Sequence, residues 1–141
     1  MKYLLEIGRT ICAVCCLAAG IGSVAAHHAT TMFDFTKLVT VTGTVVEFRW
    51  VNPHSSLLIK GTEQQGGPEA LWLLEMSSPG NLARVGGWTR TTVKPGDRVQ
   101  AELAPLRDMS ERGGILRKLT LLDTGQVFIT DIREQERPGL E

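Results

Sequence analysis

The chain's three histidines fall at two places: His27 and His28 are adjacent, and His54 follows Asn52-Pro53. A neutral imidazole is a common metal ligand. Inside an extended segment, neighbouring side chains point to opposite sides, so a His-His pair chelates poorly there. At a free N-terminus the geometry changes. A chain cut after Ala26 begins with His27, whose α-amine and imidazole can hold one ion while His54 supplies a third nitrogen, a set suited to Cu(II). A chain cut after Ala25 begins Ala26-His27-His28, and the amine, two deprotonated amides and the His28 ring then form a square plane for Cu(II) or Ni(II). The candidate metal site is His27, His28 and His54, with Cu(II) as the expected cofactor. The plainer reading is a solvated pair at a processing junction and an ordinary turn histidine. Met32, Met76 and Met109 offer sulfur to copper(I), but scattered methionines read first as filler.

Other chemistry is weaker. His54-Ser55-Ser56 sets hydroxyls beside an imidazole with no strand-to-helix elbow around them, so no nucleophile is expected. Glu47 and Glu75 lie on strands and form a conceivable carboxylate pair, which a solvated barrel face explains as well. Arg112-Gly113-Gly114 occurs once and reads as a turn before a strand. Trp50, Trp72, Trp88, Phe48 and Phe128 are conceivable stacking platforms, but in so aromatic-poor a chain they are expected in the core or its lid. Neither a phosphate loop nor a dinucleotide fingerprint is present. The expectation is a binding protein that is not an enzyme.

The elements that would hold the histidines begin with a leader. Lys2 and Arg9 precede the apolar run Ile11–Ala19, and small residues at Val24 and Ala26 suit cleavage after Ala26. The strongly apolar run is about half of the roughly 20 residues that span a bilayer, so no stable membrane insertion is expected after cleavage. Cys12, Cys15 and Cys16 all lie in this leader, so no disulfide is expected afterwards. The expected location is the periplasm or the exterior. The part after residue 26 carries 13 basic and 14 acidic groups. That balance argues against a partner held by bulk charge, nucleic acid included.

Residues 27–37 show no period and read as an arm. From Leu38, Val39, Val41, Gly43 and Val45 alternate with threonines; after Val45 the apolar phase moves to Val46, Phe48 and Trp50. A one-residue phase slip in a long strand predicts a β-bulge. Ser56–Lys60 predicts a second strand, and the nearly continuous apolar run Ala70–Met76 a third, covered on both faces. Ser78 and Pro79 predict the cap and first residue of a short helix ending at Gly86-Gly87. Lys94-Pro95-Gly96-Asp97 is a turn, Arg98–Leu103 and Ile115–Leu122 are strands, and Thr124-Gly125 turns a hairpin into Gln126–Thr130.

Three strands, a short helix and two strands give an all-β fold, a small OB-like five-stranded Greek-key barrel at 38–130, with a signal helix at 1–26 and a charged tail at 131–141. The alternative is an open β-sandwich. Val45, Phe48, Leu58, Leu73, Val99, Leu103, Leu119 and Leu121 are expected to be buried.

The blocks His27-His28, Phe33-Asp34, Gly43-Thr44-Val45, Glu47-Phe48, Trp50 and Asn52-Pro53-His54 resemble a family of small exported proteobacterial proteins of unknown function. Ser78-Pro79, Asn81-Leu82, Gly87-Trp88-Thr89 and Lys94-Pro95-Gly96-Asp97 resemble its later blocks. This sequence has Ala29 where the resemblance would have serine, a change outside the proposed ligands. The resemblance implies a periplasmic setting and carries no activity. Two functions follow as expectations: a binding module for copper or a similar ion, and a protein- or glycan-interaction module of the envelope.

Overall fold

The computed structural model describes residues 30–108 and 110–130. The chain divides after Thr31, and the unit starting at Met32 is the one described below. His27, His28, the leader, Met109 and the charged tail lie outside the described residues.

The described elements are β1 (Val39–Arg49), β2 (Ser56–Thr62), β3 (Ala70–Glu75), α1 (Pro79–Gly86), β4 (Arg98–Pro105), β5 (Gly113–Leu121) and β6 (Val127–Ile129). β1 pairs antiparallel with β2 on one side and β4 on the other. β2 pairs with β3, β4 pairs with β5, and a parallel pairing of β3 with β5 closes the barrel. The expected five-stranded barrel with its helix between strands three and four is the observed fold. β6 adds a short hairpin strand to β5.

β1 reaches both halves of the barrel because it bends. Its register runs Val45 against Ile59 and then Glu47 against Leu58, leaving Val46 without a partner. The bulge falls where the apolar phase slips in the sequence. Before the bend Gly43 faces Gly61, and a Cβ on Gly43 would run into the carbonyl oxygen of Lys60. Two β-strand backbones approach closely there, and a side chain would push them apart. The Lys94–Asp97 turn docks on the bend: Gly96 donates its N–H to Val45 O at 2.9 Å, and Val45 donates to Asp97 O at 2.9 Å.

α1 begins as its sequence requires. Ser78 Oγ accepts from Asn81 N at 3.4 Å, Pro79 opens the helix, and Gly87 closes it at φ 66°. The helix buries Leu82, and Trp88 beyond it packs at 5.1 Å from Phe128 and 6.1 Å from Phe48 between ring centroids.

The core departs from expectation at one strand. Val45, Val99, Leu103 and Leu119 are buried, while Phe48 and Leu121 are half-buried against the core. Leu58 is half-buried and Leu73 is 52% exposed. Leu57, Ile59, Trp72, Leu74 and Met76 fill the interior instead. β3 is covered on one face. An apolar run carries no phase of its own, but Ser56, Lys60 and Glu75 do. They share their sides with Leu58 and Leu73, and charge belongs outside.

β5 also starts earlier than expected. Gly113 and Gly114 belong to the strand, where a Cβ would meet the Leu73 carbonyl from Gly113 and the Ala104 carbonyl from Gly114. These glycines serve barrel closure, and the bend that joins β4 to β5 lies before them, where Ser110 donates its N–H to Asp108 Oδ1 at 2.9 Å.

Candidate functional site

Pairing register places the outward side chains of β1, β2 and β3 in three rows. Thr44, Lys60 and Leu71 form the first, Glu47, Leu58 and Leu73 the second, and Arg49, Ser56 and Glu75 the third. Leu71 is 56% exposed and Val46, at the bulge, 42%. The chain therefore presents a leucine-bearing outer face that water must solvate; β4 turns Arg98, Gln100 and Glu102 outward, while the short β6 exposes Val127 and Ile129 at 53% each.

Within this face a depression of about 240 Å³ is lined by Glu47, Arg49, Ser56, Leu58 and Leu73. Arg49 Nε donates to Glu47 Oε1 at 2.8 Å, and that carboxylate holds the guanidinium more firmly protonated. Lys60 Nζ lies 3.1 Å from Glu69 Oε2. Glu75, half-buried at the end of β3, makes no ion pair among the described residues. Its carboxylate is the uncompensated charge of the face. Glu47 and Glu75 stand two strands apart, on the order of 10 Å, too far to share a proton or a hydrogen bond.

The β1–β2 loop borders the third row. Trp50 packs against Phe48 at 5.7 Å between ring centroids with the rings tilted by 58°, the Asn52–Pro53 peptide is cis, and His54 is exposed. Its imidazole has no hydrogen-bond partner among the described residues. Ser55 fixes the loop: it donates its N–H to Ser77 O at 3.1 Å and accepts from Met76 N at 2.9 Å. Its side chain is buried, and Oγ has no hydrogen-bond partner among the described residues. Of the candidate ligands His27, His28 and His54, the structure places His54 alone, on a solvent-facing loop. Among the described residues no three of His, Cys, Asp and Glu gather to hold a metal. Met32 is exposed and Met76 is buried in the core.

The aromatic residues are core and lid, as expected. Trp72, Trp88 and Phe128 are buried, and Phe48 and Trp50 pack against the core. Arg112 lies over the Trp72 ring at 5.3 Å and reaches Glu63 at 3.7 Å; the buried indole Nε1 has no hydrogen-bond partner among the described residues.

A model of a family of unknown function, DUF6152, matches residues 13–116. The chain belongs to that family. The resemblance carried by the sequence blocks is thereby borne out at family level, and β1–β3, α1 and β4 all lie within the DUF6152 match. No curated protein and no solved structure matches the chain. The leucine-bearing face was missed in the sequence because its members come from three separate strands. The shared parity of Leu71, Leu73 and Glu75 was the available signal.

Proposed function

We propose that this DUF6152 member is a non-catalytic binding module of the cell envelope and that its working surface is the outer face of β1–β3. The observation that carries the reading is the exposure of Leu71 and Leu73 side by side on one strand. Isolated surface leucines are ordinary, but adjacent exposed ones beside a depression are what a partner covers. The envelope setting rests on the leader at 1–26. A photo-crosslinking residue at Leu73 in the exporting cell should form a discrete adduct, and one at Thr42, outward on the polar side, should not. Adducts at both sites or at neither would overturn the assignment.

A second reading keeps the Cu(II) site of His27, His28 and His54. It is favoured by the exposed, unbonded imidazole of His54, which can coordinate without breaking any contact of the fold.

A further inference from the structure

We propose that the outer face of β1–β3 binds an extended peptide segment carrying two aliphatic side chains and one basic side chain at alternate positions. The inference rests on the reading of this face as the working surface. Leu71, Leu73 and Glu75 follow one another along β3 at every second residue, each backed by Lys60, Leu58 or Ser56 of β2. Same-side residues of a strand repeat about every 6.6 Å, and those of an extended peptide repeat at the same spacing. A segment lying along β3 therefore sets one side chain over each row in register. The first two rows present leucine and the depression beside Leu58. The third presents the carboxylate of Glu75.

Charge selects the third side chain of the ligand. Arg49 is engaged by Glu47 and Lys60 by Glu69, so neither cation is available without breaking an ion pair. Glu75 has no such partner among the described residues. A lysine or arginine laid over Glu75 and Ser56 gains an ion pair beside the edge of an apolar contact, where water is partly excluded. An acidic residue there meets repulsion. The same balance disfavours phosphate-bearing ligands. Sugars are disfavoured on shape, since none of the outward side chains in the three rows is an aromatic ring on which a sugar could stack.

The test uses the full chain and three end-blocked, fluorescein-labelled peptides read by anisotropy: Leu-Ser-Leu-Ser-Lys, the same with a terminal glutamate, and the same with both leucines replaced by serine. Bis-ANS emission is recorded in parallel as a probe of the apolar surface alone. The lysine peptide should bind tightest. Leu73→Ser removes an exposed side chain, leaves the core intact, and should weaken binding about tenfold. Glu75→Lys should reverse the preference, so that the glutamate peptide binds better than the lysine peptide. Equal binding of the lysine and glutamate peptides, no reversal, or no peptide binding would overturn the proposal. If bis-ANS emission still drops in Leu73→Ser in that case, the face remains a binding surface and the peptide pattern alone fails. If neither probe responds to Leu73→Ser, both readings fail.

Discussion

Trp88 donates its indole N–H to the carbonyl oxygen of Ile129 at 2.8 Å, joining the segment after α1 to the last strand, 41 residues later. The ring is 1% exposed and packs on Phe128 and Phe48, so bond and packing act at one point. Trp88→Phe keeps most of the apolar volume and leaves the Ile129 carbonyl without that donor. It should lower stability by about 1–3 kcal/mol. Trp88→Ala removes the ring as well and should lower it by about 3–5 kcal/mol. Urea unfolding of the two variants separates the contributions. A Trp88→Phe midpoint equal to wild type would show that the bond adds nothing.

Leu73 and Leu74 are neighbours with opposite fates. Leu74 is fully buried and Leu73 is 52% exposed. Leu74→Ala opens a cavity and should destabilise by about 2–5 kcal/mol. Leu73→Ala should stay within about 0.5 kcal/mol of wild type, because no core contact is lost. The same denaturation curves decide it, and a large loss at Leu73 would mean that its face is covered in the folded protein.

That pair also shows what the sequence discloses and what it withholds. The bulge at Val46 was legible because the apolar phase slips within one continuous strand, and the α1 cap because Ser78-Pro79 satisfies local backbone chemistry. Both signals are local. The facing of β3 is set by pairing with β2 and β5, and both of its residue sets are apolar up to Leu74, so Glu75 alone carried a phase. Glycine at 113 and 114 suggested a turn, because the close approach of the Leu73 and Ala104 carbonyls exists only once the barrel has closed. The outer face needs the same long-range register. The histidine site was read from local spacing, and two of its three residues lie outside the described part of the chain.

The Lys94–Asp97 turn predicts an acid-side effect. Asp97 accepts from Lys94 Nζ at 2.6 Å and from Lys94 N at 2.9 Å, and the lysine holds its carboxyl below the ordinary carboxylate range. A carboxyl whose folded pKa is depressed contributes stability above its unfolded pKa and loses it as pH falls through the folded value. The thermal midpoint of the wild type should therefore exceed that of Asp97→Asn at about pH 6, and the gap should narrow below about pH 4. A gap that stays constant or widens in acid would assign the difference to turn geometry rather than to ionisation.

If the exported chain starts at His27, the α-amine and ring of that residue bind one Cu(II), and exposed His54 approaches from its loop with no fold contact to break. His54→Ala should then weaken copper binding. If Ala26 comes first, the amine, two amides and His28 suffice, and His54→Ala should change little. Mass spectrometry of the exported protein fixes which case applies. An imidazole coordinates when neutral, so affinity should fall as pH drops below about 6.5, the ordinary histidine range. An N-terminal tag, or retention of the leader, buries the amine in a peptide bond and should remove most of the affinity in either case. Isothermal titration of processed and tagged protein with Cu(II), followed by its visible absorption, makes the comparison. Equal binding by both forms would refute the N-terminal site. Binding weaker than micromolar by both would leave His27 and His28 as junction sequence, with the outer face of β1–β3 as the binding surface.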